Sequence, residues 1–466
     1  MINPLDKQYL STKNFKSNTN YLMDGDIFIS LNGGHKYLDA ESEKKISYIV
    51  LDETDKYKGS AKNIKCSGLN KNFYLWLDEI FEIDHATFEN FFVTGTNGKT
   101  TTNYFLSKIL LDNGLNHGSI GTLGTHINND FIFQNQLTTE EPTYIRSFFR
   151  DCSKRNIKKV LFEASSIGID QKRLAGLPIK HAAYLNISRD HLDYHKTTEN
   201  YLQSKLKLIE GEGLETLVYN YDQQEFKDIF TDSSAKNIFK ISRKDIKADI
   251  FYKILNISEH GIVEFEVSTV WGKFQAKAPI ISEFNVFNLL ASLPYFVAIG
   301  GDVENFFDSV PNLMLPKGRL QKIKDKSIFI DYAHTPDAIE QACISIKKQS
   351  NNKLILVFGA GGDRDIGKRK LMGEIADKYA DKIILTSDNP REEDPIEIID
   401  MISEGILNKT KIVIEHERSK AISYAIKIMD NLSVILVCGK GHETTQTIGQ
   451  NIQYFSDEEE IIKCIS

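Results

Sequence analysis

The sequence predicts a multi-domain α/β protein, and three observations point that way. At 466 residues the chain is too long for one ordinary core; at roughly 150 residues per domain it should divide into about three. Near Phe91 an apolar strand pattern runs into a glycine turn and then a helical pattern. From about residue 315, four short apolar runs (328–331, 354–358, 382–386 and 434–437) alternate with helix-like segments, as the buried parallel strands of a doubly wound sheet do.

Bulk properties narrow the class. A hydrophobic share of 41% and a charged share of 26% argue against disorder and fibrous repeats. The net charge of −7 argues against a nucleic-acid partner, which calls for a basic face, yet permits a local basic pocket for an anionic substrate. Cys66, Cys152, Cys343, Cys438 and Cys464 are odd in number and far apart, with no CxxC pair. They read as small apolar side chains in a reducing cytoplasm rather than as a disulfide frame or zinc site. Met-Ile-Asn-Pro-Leu-Asp-Lys at the start is no signal peptide, and no run approaches the roughly 18 apolar residues of a membrane span. A cytoplasmic monomer that inserts into no membrane is expected.

Taken in order, the first 85 or so residues mix β-like runs at 27–31 and 46–51 with Asn, Gly and Asp turns, enough for a small α/β domain. The helix after the glycine turn extends through Leu110, and a strand at 159–163 leads into a polar loop. In the C-terminal block, polar and glycine-rich loops at 332–337, 359–365, 387–391 and 438–443 each follow a strand. Open α/β sheets bind ligands outside the carboxyl ends of their strands, so these loops mark a candidate site.

The glycine turn reads Val93-Thr94-Gly95-Thr96-Asn97-Gly98-Lys99-Thr100-Thr101. Backbone N–H groups at a helix start cradle phosphate, a lysine reaches the terminal phosphates, and a hydroxyl such as that of Thr100 ligates magnesium. Val93 stands where the general pattern has its first glycine. The loop indicates magnesium-dependent use of ATP, but ATPases, kinases, switches and ligases all have one. Further on, Ser188-Arg189-Asp190-His191-Leu192-Asp193-Tyr194-His195 is followed ten residues later by Lys205. Such a concentration of ionisable groups suits a metal or ligand; a solvated loop and a hydrolytic zinc site are its rivals, the latter lacking an HExxH pattern. Glu163, ending its strand, is a candidate oxygen donor to Mg²⁺.

The phosphate loop, the DHLDYH segment with its lysine, Phe284-Asn285-Val286-Phe287-Asn288 and the DYAHTPD loop together resemble the Mur ligases. Gly361-Gly362-Asp363-Arg364-Asp365, Asp388-Asn389-Pro390-Arg391 and Gly439-Lys440-Gly441-His442-Glu443 narrow the resemblance to members that add the third residue of the peptidoglycan stem. It covers nearly the whole chain, with seven motifs in order. The resemblance implies a uridine-nucleotide domain at 1–87, a central ATPase domain at 88–314 and a Rossmann-like amino-acid domain at 315–466. It implies an acyl-phosphate ligase acting on UDP-MurNAc-L-Ala-D-Glu with ATP and Mg²⁺.

By the same resemblance, Lys99, Lys205 and His191 are catalytic, and Gly95, Thr96, Asn97, Gly98, Lys99, Thr100, Thr101, Asn285, Asp331 and His334 contact ATP. Lys205 is carbamylated and holds metal with Thr100, Glu163 and His191. Thr19, Thr138, Thr139, Ser165, Gln171 and Arg173 bind the muramoyl-dipeptide nucleotide. The chain departs from the pattern at Thr19-Asn20, where relatives often have Ser-Arg, and at Ile167, where histidine is common. Arg364, Asp388, Asn389, Pro390, Arg391, Gly439 and Glu443 form the amino-acid pocket. Arg391 favours meso-diaminopimelate over L-lysine, because a guanidinium fork pairs with the carboxylate that lysine lacks; its rival role is to cap a surface turn. A lysine-adding ligase, a folylpolyglutamate synthase-like ligase and a nucleotide-dependent switch are the alternatives.

Overall fold

A computed structural model describes residues 7–230, 233–349 and 352–466; residues 1–6, read above for a leader, lie outside them. The architecture is α/β with several sheets. The chain forms two compact units, one of Met1–Phe92, Gly114–His181 and Lys207–Leu214, the other of Val93–Asn113, Ala182–Leu206 and Glu215–Ser466. Among the described residues no helix is long and apolar enough to cross a membrane.

In the first unit, Phe15–Lys16, Asp26–Ile29, Ile46–Asp52 and Asn63–Cys66 form a parallel sheet in that order. Leu22, Phe28, Ile46, Ile49 and Leu51 make a core there. The run expected at 27–31 stops at Ile29, and a 3-10 segment, Leu31–Tyr37, follows. Asn32 (φ 50°) and Gly33 (φ 79°) turn left-handed there, a conformation no strand accommodates. Helix Leu69–Phe81 buries Leu69, Phe73, Leu77 and Ile80; beside it helix Pro142–Lys154 carries the buried Arg146, whose Nε lies 3.4 Å from Asp78. Gly118–Gly121 pairs in parallel with Lys159–Glu163 and antiparallel with Gly124–Ile127, which continues to Asp130–Phe133.

The chain passes between units within the strand Glu89–Thr94. In the second unit, helix Lys99–Asp112 begins directly after Gly98, whose φ of 92° makes the tight turn that glycine alone adopts readily. Thr216–Asn220, Asn237–Ser242 and Ile250–Ile257 run parallel, then Val263–Thr269 and Gly272–Ala278 extend the set antiparallel. The C-terminal sheet has the order Gln321–Lys322, Ile328–Asp331, Ser433–Cys438, Lys353–Phe358, Lys382–Leu385, Ile412–Ile414, parallel except at its first strand. The four expected strands are all present within a residue or so of their bounds, and the three-residue edge strand joins them.

Alternation along these strands explains why they read as continuous apolar runs. Leu354, Leu356 and Phe358 face one layer with Ile339, Cys343, Met372 and Ile399 from three helices. Ile355 and Val357 face the other with Ala421, Ile422 and Ile461. Both faces are dry, so every position must be apolar. Of the cysteines, Cys152, Cys343 and Cys438 are buried as expected, Cys66 is partly buried and Cys464 is exposed.

Candidate active site

In the second unit the phosphate loop is fixed by the segment 185–188, which follows the strand His181–Tyr184. Thr96 N donates to Asn186 O at 3.0 Å, and Asn97 N donates to Asn186 Oδ1 at 2.8 Å. Ser188 N donates to Thr96 Oγ1 at 3.0 Å, which also meets the Tyr201 hydroxyl at 3.0 Å. Lys99 Nζ reaches the carbonyls of Gly95 and Thr96 at 2.8 and 3.0 Å, folding over its own loop. Asn288 braces the turn from below: a Cβ at Gly98 would collide with its amide, and its Nδ2 donates to Asn285 Oδ1 at 3.1 Å. Asn285 in turn donates to Ile280 O at 2.8 Å, so the expected nucleotide residue Asn285 bears on the loop through Asn288.

Lys205 is 1% exposed, donates to Gly95 O at 3.0 Å and lies 4.5 Å above the Tyr201 ring. Burial, then the neighbouring Lys99 ammonium, drive its pKa well below the ordinary lysine value against the pull of Asp190. A neutral amine is the form that reacts with CO₂. Burial likewise pushes the His191 imidazole down to about 4; Asp190 opposes the shift, while His334, Lys99 and Lys205 reinforce it. The imidazole is therefore neutral at physiological pH and able to act as a ligand.

Asp190, expected only as one member of the ionisable segment and given no role of its own, is the hub of this cluster. Its carboxylate lies 3.4 Å from His191 Nε2, 3.8 Å from His334 Nε2 and 3.7 Å from Lys368 Nζ. Burial pushes the carboxyl up, but His334, His191 and Lys368 around it outweigh burial and hold the group well below the usual range. His334 Nδ1 contacts Tyr332 O at 2.8 Å, which aims Nε2 at Asp190. Beside it, Arg189 forks onto Asp365 at 2.7 and 2.8 Å, and Asn97 Nδ2 donates to Asp337 at 2.9 Å. Arg319, also missed, donates to Thr100 Oγ1 at 3.2 Å and stacks 4.4 Å from the Tyr332 ring centre. These partners are far apart in sequence, so no local spacing could reveal them.

Asp331 behaves differently from its neighbours. Its two oxygens accept from Leu320 N and Ala333 N at 2.6 and 2.7 Å, so it clamps the loops around it. Among the described residues no group of three or more His, Cys, Asp or Glu forms a metal-binding arrangement. The side chains of Thr100, His191 and Lys205 offer a hydroxyl oxygen, a neutral imidazole nitrogen and a buried amine here; of these the hydroxyl is the kind of hard donor Mg²⁺ prefers.

At the carboxyl end of the C-terminal sheet, Asp388, Asn389, Pro390 and Arg391 lie beside Gly439–Glu443. Asn389 Nδ2 and Lys440 Nζ both donate to Glu443 Oε2, at 2.9 and 3.1 Å. Gly439 (φ 115°) lets the chain pass Asp388, whose carboxylate occupies the place of a Cβ. Arg391 Nη1 donates to Gly362 O at 2.7 Å. Its pKa is lowered by burial and by the Arg364 guanidinium, against Asp388, Glu443 and Asp363. Two guanidiniums held together in this way favour an anion between them.

In the first unit, Glu163 is 2% exposed and accepts from Thr122 N and Thr122 Oγ1 at 2.9 and 3.0 Å. Thr122 Oγ1, its proton given to Glu163, meets Thr138 Oγ1 at 3.2 Å and accepts there. Thr139 Oγ1 donates to Glu163 O at 2.8 Å and meets Ser165 Oγ at 3.0 Å, and Arg173 Nη1 donates to Thr139 O at 2.7 Å. Gln171 Oε1 accepts from Arg173 Nε at 3.1 Å. Five of the six residues expected to bind the muramoyl nucleotide thus form one network. Thr19 opens the 3-10 turn Thr19–Tyr21.

Comparison with known proteins agrees with this geometry. The Mur ligase middle domain matches residues 93–295, and the Mur ligase glutamate ligase domain matches 318–441. The UDP-N-acetylmuramoyl-L-alanyl-D-glutamate--2,6-diaminopimelate ligase of Coxiella burnetii is 33% identical over 97% of this chain and 95% of its own. The protein of the same name from Aquifex aeolicus is 34% identical over 97% of this chain and 93% of its own. A solved structure of a ligase with that name aligns with a TM-score of 0.64 at 31% identity, covering 97% of this chain and 94% of that one. With both domains matched in order and relatives a third identical along nearly their full length, the chain belongs to the Mur ligase family.

Proposed function

We propose that the chain joins meso-diaminopimelate to the D-glutamate carboxylate of UDP-MurNAc-L-Ala-D-Glu, with ATP as the activating substrate. The observation that carries the reading is the paired Arg391 and Arg364 beside Asn389 and Glu443, in a chain whose full-length relatives bear the diaminopimelate ligase name. The pair suits the distal carboxylate of diaminopimelate, and Glu443 suits its distal ammonium. The domain limits 1–87, 88–314 and 315–466 are part of the proposal; the separate sheets within 15–66 and 321–438 support its outer two.

A carboxylate is a poor electrophile and needs a leaving group. Its oxygen attacks the γ-phosphorus of ATP, ADP departs, and an acyl phosphate results. The amine nitrogen then bonds to the acyl carbon, and the tetrahedral intermediate expels phosphate. Amides at the start of helix Lys99–Asp112 receive phosphate oxygens, and Lys99 moves from its loop carbonyls to the terminal phosphates. Thr100, His191 and carbamylated Lys205 would hold Mg²⁺, which offsets charge on the transferring phosphoryl group. Glu163 keeps its proposed role as an oxygen donor, and the other substrate residues keep theirs. A cytoplasmic monomer without a nucleic-acid partner belongs to the same reading, supported on the last point by the net charge of −7.

The test is ADP release by the purified chain with Mg²⁺, ATP, the muramoyl-dipeptide nucleotide and either diaminopimelate or L-lysine, with product mass as a second readout. Release dependent on diaminopimelate is expected, with lysine poorer by about 10⁴-fold. Preference for lysine, or no release with either amine, overturns the reading.

A further inference from the structure

The antiparallel hairpin of Thr445–Ile448 and Asn451–Tyr454 carries no recognisable motif, yet its first strand and turn run along the amino-acid pocket. Gln446 Nε2 donates to Asp388 O at 2.8 Å. Thr447 N donates to Asn389 Oδ1 at 3.0 Å. Arg391 N donates to Thr447 O at 3.1 Å, Gly449 N donates to Arg391 O at 2.7 Å, and Arg391 forms a parallel bridge with Ile448. Lys440 Nζ, already on Asn389 and Glu443, also donates to Thr445 O at 2.5 Å.

Arg391 needs such support. Its φ of 51° is left-handed, a conformation that a side-chain-bearing residue keeps only where its surroundings fix it. The hairpin bonds the peptide on both sides of that residue and so sets the direction in which the guanidinium leaves the backbone. Gln446 is 4% exposed, and both ends of its amide are used: Nε2 on Asp388 O, and Oε1 accepting from Gln453 Nε2 at 3.0 Å.

We propose that this hairpin is the positioning element of the amino-acid site, with Gln446 as its principal positioning residue and Gln453 as the residue that orients it. The inference rests on the reading that Arg391 meets the incoming amine substrate. Gln446 touches no reacting atom; it acts through the 388–391 loop, so its loss should weaken amine binding and selectivity and leave ATP binding alone.

Gln446→Leu and Gln453→Ala answer the question in the full-length enzyme. Gln453 is exposed, so its variant carries little folding risk. KM for ATP, the muramoyl nucleotide and the amine are measured with whichever of diaminopimelate and lysine the wild-type chain consumes. The wild-type preference thereby judges the functional reading, and the variants judge the hairpin. The amine KM should rise about ten- to a hundredfold in Gln446→Leu, since a misplacement near 1 Å has effects of that order, and about threefold in Gln453→Ala. The kcat/KM ratio between the two amines should narrow in both, with KM for ATP unchanged. An unchanged amine KM in folded Gln446→Leu, or parallel rises in all three KM values, overturns the proposal. If Gln446→Leu does not fold, an unchanged amine KM in Gln453→Ala does so alone.

Discussion

Replacing Arg391 tests the amino-acid pocket most directly, because the backbone there is already strained and alanine, with a Cβ like arginine's, leaves that strain about as it was at φ 51°. Alanine removes the fork and nothing else of comparable size. One N–H group of Arg391 is held by Gly362 O at 2.7 Å, and the remainder of the fork suits a carboxylate. A hydrogen bond to a charged group contributes about 1.5–3 kcal/mol. Two such bonds would exceed the net effect, since relief of the Arg364 repulsion and of guanidinium burial works the other way. A net loss of about 2–3 kcal/mol is expected, or about 30- to 150-fold in the diaminopimelate KM. Arg391→Lys keeps the charge without the fork and should lose about 1–2 kcal/mol. Initial rates varied over each of the three substrates supply the measurement. If the KM for ATP rises with that for diaminopimelate, or diaminopimelate binding survives in Arg391→Ala, the pocket has been misassigned.

Gly98→Ala forces a Cβ into the Asn288 amide at a backbone φ of 92°, so ATP affinity in a binding titration should fall more than about tenfold and stability by about 1–3 kcal/mol. Burial, then Arg319, Lys317 and Lys440, push the His442 imidazole down to about 3. The unfolded chain therefore takes up this proton first, near pH 6.5. The stability linked to His442 is complete above that pH and declines as pH falls toward about 3. Melting temperatures between pH 8 and pH 5 should decline less steeply in His442→Gln than in the wild type.

What could be read in the sequence, and what could not, follows from the range of the interactions. The phosphate loop and the C-terminal strands are local patterns: a glycine turn between strand and helix, and apolar runs made continuous by burial on both faces. Strand Val263–Thr269 was also within reach, since Val263, Phe265 and Val267 are buried and alternate with Glu264 and Glu266. Strand Ile412–Ile414 was not, at three residues without a bounding turn signal. Lys368 and Arg319 escaped because each is defined by a partner from a distant segment, and Asp190, legible as one member of an ionisable cluster, owes its place as hub to His334 and Lys368, which lie far along the chain. Asp331 shows the converse: its motif is legible, but its carboxylate serves two backbone amides.

Lys205 shows how burial and charge act in one direction. An ammonium sealed at 1% exposure next to the Lys99 ammonium is disfavoured twice, by lost hydration and by like charge. If cationic density for a triphosphate were all that mattered, a surface lysine would supply it without either penalty. The positive potential of Lys99 that drives the proton from Lys205 would also stabilise a negative group formed at the same nitrogen. Proton loss and carbamate formation, as proposed, are thus favoured by the same field. The phosphate loop would then draw a cation and an anion from two lysines whose amines both donate to Gly95 O. On that proposal, neutral burial of Lys205 would be the precursor of an oxygen donor, and the depressed His191 would supply a nitrogen that protons leave open above about pH 4.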